Sequence, residues 1–129
     1  MNPSHAPYEV KFEVRPGYVY ARVIAERVDR PTAMWFLGEA ISECANHRKK
    51  RLLLERGNAG EVAEEELFVM MDELLKLSDE TRIAFLNQHL LSAEKIREVI
   101  RYGAGRGGNY RCFMSFEKAE QWLLEDADE

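Results

Sequence analysis

Two short runs fix most of what this chain can become: "RLLLER" at residues 51–56 and "RIAFLN" at residues 82–87. Each is apolar without alternation, bounded by charged or polar residues, and too short for a helix, which is how a strand buried on both faces reads. Between them Leu67, Met70, Met71, Leu74 and Leu75 recur at three- and four-residue spacing, the inward stripe of an amphipathic helix. Two buried strands joined through a helix lie parallel in one sheet, connected by a right-handed crossover. The expected fold class is α/β with a mostly parallel sheet.

The flanks extend this unit. Residues 8–14 alternate polar and apolar side chains with a period of two, Arg15-Pro16-Gly17 carries turn chemistry, and "YVYARVIAE" at 18–26 returns, making an antiparallel N-terminal β-hairpin. Pro31 suits the first turn of a helix whose inward stripe is Leu37, Ala40, Ile41 and Cys44, with Trp35 or Phe36 near its start and its end near His47. Directly after Gly57-Asn58-Ala59-Gly60 the second helix is expected to begin, with Glu61, Glu64, Glu65 and Glu66 at its positive end. Ser92 is the expected N-cap of a third helix carrying Ile96, Val99 and Ile100. "YRCFMS" at 110–115 is the last strand, and Ser115 caps a final helix with Ala119, Trp122 and Leu123 facing inward. The sum is five strands and four helices in one domain over residues 8–125, with a flexible segment at 1–7 and an acidic tail at 126–129.

The chain has 129 residues, enough to bury a core without a metal or disulfide. Eighteen Lys and Arg against 23 Asp and Glu leave a net charge of -5, which opposes attraction to phosphate backbones and makes nucleic acid an unexpected partner. The one basic run, Arg48 to Arg51, falls where the first helix should end and reads as compensation of the helix dipole. Cys44 and Cys112 each sit in an apolar pattern, without metal-ligand spacing, and read as packing residues. With no secretory leader pattern and no apolar run long enough to insert in a membrane, the expected location is the cytoplasm.

The densest motif is Gly103-Ala104-Gly105-Arg106-Gly107-Gly108. A phosphate cradle needs a strand, then glycines, then a helix, so that free N–H groups and the positive helix end meet the anion. Here the order is inverted, and the glycines are expected to serve left-handed backbone angles at a helix end. The loop with the correct order, Gly57 to Gly60, lacks the Lys-Ser/Thr of a P-loop and is followed by acids that repel phosphate. His5, His47 and His89 do not gather on one face, and none of the serines stands in a nucleophile elbow. No cofactor, metal or catalytic residue is therefore expected. An enzyme would need a cleft joining residues such as His89, Glu55 and Arg106.

The end of the chain, "GRGGNYRCFMSFEKAEQWLL" at 105–124, resembles small bacterial STAS/SEC14-type proteins with a SpoIIAA-like fold. The features are the Arg106-Gly107 pair, the strand Arg111 to Phe113, and Glu117, Ala119, Trp122 and Leu123 in the closing helix; residues 51–68 and 81–88 are similar to the middle of that family. The resemblance implies a right-handed βα superhelix with helices covering mainly one sheet face. It further implies a role like that of the anti-sigma-factor antagonists, in which a Ser or Thr after the middle strand accepts a phosphate and switches partner binding. Gly57-Asn58-Ala59-Gly60 contains no hydroxyl, so that switch is lacking here while binding through the same surface is retained.

The expected function is a non-catalytic protein-interaction or regulatory module. Its candidate surface comprises Gly57, Asn58, Gly60, Glu61 and Arg106, and a protein is the expected partner. The alternative is a small-ligand or lipid-type binding protein whose apolar pocket lies between sheet and helices and uses Phe68, Met70, Met71 and Trp35. Self-association, as a homodimer in its simplest form, is a further expectation because an open sheet leaves edges to cover.

Overall fold

The computed structural model describes residues 8–58, 60–78, 80–87 and 93–125. The hairpin strands β1 (Tyr8–Arg15) and β2 (Tyr18–Ala25) pair antiparallel from Tyr8 opposite Ala25 to Arg15 opposite Tyr18. Their turn holds Gly17 at φ 89°, an angle that glycine takes without strain. The short strand β3 (Arg27–Val28) leads to α1 (Arg30–Asn46), whose N-cap Asp29 accepts the Thr32 N–H and whose first turn contains Pro31. Then follow β4 (Arg51–Arg56), β5 (Glu61–Val62), a 3-10 turn at Glu64–Glu66, α2 (Leu67–Ser78), β6 (Arg82–Leu86), α3 (Ala93–Gly105), β7 (Asn109–Phe113) and α4 (Phe116–Leu123).

The five-stranded sheet has the order β1-β2-β4-β6-β7, and only its first pair is antiparallel. The expected architecture is the observed one. Both faces are covered, which is why β4 and β6 read as continuous apolar runs. Leu52, Leu54 and Ile83 pack with Phe36, Leu37, Met70, Met71 and Val99 from α1, α2 and α3. Leu53, Ala84 and Leu86 point the other way, onto Ala119 and Leu123 of α4. Each such fully buried Leu or Ile contributes about 1.5–3 kcal/mol relative to exposure. The edge strand β1 carries exposed Glu9, Lys11 and Glu13, charges that discourage pairing with a foreign strand.

Two expectations fail in an instructive way. Residues 61–63 do not open α2: the Glu61 N–H donates to the Glu26 carbonyl and the Ala63 N–H to the Val28 carbonyl, so these donors are satisfied by β3 in a small parallel ribbon. Helix α2 begins at Leu67, after the glutamates. The basic run likewise lies beyond α1, which has no cation in its last turn; Lys50 pairs with Glu80 at 2.9 Å instead. The helix end is a 6→1 and 5→2 turn, with the Lys49 N–H on the Cys44 carbonyl, the Arg48 N–H on the Ala45 carbonyl, and Arg48 at φ 56°.

The glycine cluster closes α3 in the same manner. The Gly108 N–H bonds the Gly103 carbonyl, the Gly107 N–H bonds the Ala104 carbonyl, and Gly107 takes φ 102°. Gly103 has a separate reason: a Cβ there would stand 2.4 Å from the Met71 sulfur where α3 crosses α2. Ser115 caps α4 by accepting the Lys118 N–H at 3.3 Å. The expected cap at Ser92, His5, His89, the segment 1–7 and the tail 126–129 lie outside the described residues. Among the described residues no helix is long and apolar enough to cross a membrane.

Candidate functional site

Strands β2, β4, β6 and β7 run in one direction, so their C-terminal ends form a single edge, the place where open α/β sheets present ligand- and partner-binding loops. The loop after β4 lies at this edge, and its residues are bolted to β2. The Gly57 N–H donates to the Val23 carbonyl at 2.6 Å. Asn58 accepts the Ala25 N–H through Oδ1 at 3.1 Å and donates from Nδ2 to the Ala25 carbonyl at 2.9 Å, closing a two-point clamp. Gly60 passes so close to the same carbonyl that a Cβ would lie 2.0 Å from its oxygen. Gly57, Asn58 and Gly60 are thus brought together, and the Asn58 amide serves the fold.

What the loop presents outward is acid. Glu61 is exposed and paired with Arg27 at 3.0 Å, while Glu64 and Glu65 are exposed. Behind them Glu66 accepts the Arg30 N–H at 2.7 Å. Arg30 also donates to Glu73 at 2.7 Å, and that bond holds the Glu73 carboxyl below the usual carboxylate range. The rim therefore has a fixed backbone and exposed carboxylates at Glu61, Glu64 and Glu65, the first of them paired with Arg27.

Arg106 does not belong to it. Its guanidinium lies over the Tyr102 ring, 4.0 Å from the centroid, in the turn before β7. Asn109 at the start of β7 pairs with Arg82 at the start of β6, whereas Gly57 follows the end of β4. The length of a five-residue strand, about 17 Å, separates the two positions. Glu55, on the α4 face near the rim, accepts the Tyr20 hydroxyl. Burial, together with this bond, pushes the Tyr20 hydroxyl up to about 12.

Beneath the rim, between the sheet and α1, α2 and α3, is an apolar cavity of about 120 Å³. Of the expected pocket residues, Met70 and Met71 line it. Phe68 packs edge-on against Tyr102 instead, and Trp35 is 52% exposed on the outer face of α1.

Among the described residues two polar ones, Arg56 and Asn87, border the cavity, and the surface they show it is almost wholly apolar. They occupy matching places, one residue past the paired Glu55 and Leu86 on adjacent strands. Asn87 is 4% exposed. Arg56 is half-buried and donates to the Gly60 carbonyl, and among the described residues no carboxylate pairs with it. Burial accordingly pulls its guanidinium below its ordinary value. Sequence reasoning passed over both, although each is the polar terminus of a buried apolar run, a signal visible in "RLLLER" and "RIAFLN".

No family model matches the chain, and no curated protein matches it in sequence. Solved structures do match in shape. An uncharacterised protein of the DUF3478 family with a SpoIIAA-like fold, from Shewanella loihica PV-4, superposes with a TM-score of 0.56 at 16% identity, over 96% of this chain and 99% of that one. An anti-sigma factor antagonist from Mycobacterium paratuberculosis gives 0.58 at 13% identity, over 94% and 97% of the two chains. With a shared shape over nearly the whole of both chains, the chain has the SpoIIAA-like fold.

Proposed function

We propose that the chain is a non-catalytic regulatory module that docks a basic surface of a protein partner on the rim formed by residues 57, 58 and 60–66. The observation that carries this reading is the pairing of a loop fixed at Gly57, Asn58 and Gly60 with three exposed carboxylates, Glu61, Glu64 and Glu65. A fixed backbone reduces the ordering entropy of association, and carboxylates of one sign steer a cationic partner. The likeness to an anti-sigma factor antagonist supports a protein as the partner class. Residues 57–60 offer no hydroxyl to phosphorylate, so control of binding resides elsewhere than in a phosphoryl group on this loop. In this reading the module works in the cytoplasm.

The test is affinity capture from the native host with the wild-type chain and with the triple variant E61K/E64K/E65K. The variant is expected to lose the captured protein while keeping the wild-type melting temperature, and capture by the wild type is expected to weaken with added salt. Arg106→Ala, at the far end of the sheet, is expected to capture normally. Equal capture by the triple variant would refute the reading.

A further inference from the structure

We propose that β1 is a self-association edge: two copies of the chain pair their first strands antiparallel about a two-fold axis at Phe12, joining two sheets into one. β1 ends the sheet, with β2 on one side and, among the described residues, no strand on the other. The hairpin loop has two residues, so Arg15 and Tyr18, which flank it, face each other as a hydrogen-bonded pair. By alternation Glu9, Lys11 and Glu13 also turn their N–H and C=O groups toward β2, while Val10, Phe12 and Val14 turn theirs to the open side. A second β1 laid on that side satisfies the outward groups by strand addition.

The charges select both the occupant and the register. Turning β1 about Phe12 sets Lys11 against the other copy's Glu13 and Glu9 against its Arg15, each pair occurring twice by symmetry. These are non-hydrogen-bonded positions, where opposed side chains come closest. A centre on Lys11 sets Glu9 against Glu13 and Lys11 against itself, and a centre on Glu13 sets Lys11 against Arg15 and Glu13 against itself. Centres on Val10 or Val14 keep the signs opposed but pair less of the strand. Lys11 and Glu9 are exposed and, among the described residues, have no ion pair; within its own hairpin Lys11 stands opposite another cation, Arg22. Glu13 and Arg15 already pair with each other at 3.2 Å, so the other copy's Lys11 and Glu9 extend that pair into a network. A foreign strand without this alternation meets like charges, which a second copy avoids.

The opposite face supports the same pairing. It sets Phe12 against itself and Val10 against Val14, and Val14 is 45% exposed in the single chain. Phe12 also lines a surface groove with Met34, Trp35, Gly38 and Leu77, to which the exposed Trp35 contributes. The two-fold axis stands perpendicular to the sheet, so both α1 helices lie on one face and their grooves adjoin across Phe12, whereas the two rims fall on opposite edges.

Sedimentation velocity of the full chain over a range of micromolar concentrations tests this. The wild type is expected to form a dimer that weakens in high salt. Lys11→Glu and Glu13→Lys each bring like charges together across the axis and are expected to weaken the dimer about tenfold, while the double variant K11E/E13K restores opposite signs and is expected to recover it. Both side chains are exposed, and a glutamate at residue 11 faces Arg22, so the hairpin keeps its fold. The register is read by cysteine pairing: Lys11→Cys mixed with Glu13→Cys is expected to form a disulfide between the two chains on mild oxidation, located by peptide mass mapping, and Lys11→Cys alone is expected not to cross-link to itself. A monomer at high micromolar concentration would overturn the proposal, and so would a dimer indifferent to both single swaps. Failure of the double variant to recover, or self-linking of Lys11→Cys, would overturn the register. E61K/E64K/E65K is expected to remain dimeric, so the rim and the edge can fail independently.

Discussion

Adding one methyl group at residue 60 tests whether the rim is as firmly built as its contacts imply. In Gly60→Ala the new Cβ falls 2.0 Å from the Ala25 carbonyl oxygen, while ordinary contact begins at 3.4 Å, so the loop and β2 must part by about 1.4 Å, the difference of the two. The obstacle is main chain and cannot rotate away. That displacement breaks both bonds of the Asn58 clamp and the Glu61 N–H bond to Glu26. Three hydrogen bonds at roughly 1 kcal/mol each give a loss of about 3 kcal/mol. With an unfolding entropy of about 2.1 cal/mol/K per residue over a chain of 129 residues, the melting temperature should fall by about 10 °C. Gly38→Ala is the control: Gly38 lies inside α1 with nothing within 4 Å of the added Cβ, and replacing a helical glycine should raise stability by about 1 kcal/mol, or about 4 °C. Differential scanning calorimetry reads both. A Gly60→Ala melting temperature within about 2 °C of wild type would show that the rim is compliant and that the reasoning from close approach is wrong.

Arg48→Gly should stabilise the chain by about 0.5–1 kcal/mol, because Arg48 sits at φ 56° in the turn that ends α1; an unchanged or lowered urea midpoint would contradict this. Burial, aided by Glu120 and Glu55, pushes the Tyr18 and Tyr20 hydroxyls up to about 12 from 10. Their folded values exceed their unfolded ones, so the stability they lend is complete below pH 10 and is lost as pH rises toward 12. Urea midpoints taken across that window should fall for the wild type and fall less steeply for a Tyr18→Phe/Tyr20→Phe variant. Burial raises the Cys44 thiol to about 11, and Cys44 is 1% exposed, so an aromatic disulfide reagent at neutral pH should label it only on unfolding; fast labelling of the native chain at Cys44 would contradict the packing.

The architecture was legible because its signals are local and redundant. The apolar runs at 51–56 and 82–87, the alternation at 8–14 and the helical stripes each constrain the same sheet. The β3–β5 ribbon escaped notice because two residues a side are too short to show a period, and because the glutamates after Gly60 read naturally as a helix start. Of the candidate surface, Gly57, Asn58, Gly60 and Glu61 lie together, as their adjacency in the chain requires. The position of Arg106 depends on strand direction across the sheet, which places it at the opposite edge. Arg56 and Asn87 were hidden for a different reason: a polar residue closing an apolar run looks like the end of a strand, and only their registration across β4 and β6 makes them a pair.

The strand order has a consequence for biosynthesis. Each strand of the main sheet after the opening hairpin is laid beside the one before it, always advancing toward the same edge. In that sheet each strand from β2 onward therefore meets a neighbour already translated, and β7 and α4 dock after the strands before them; only the small β3–β5 ribbon must wait for its later strand.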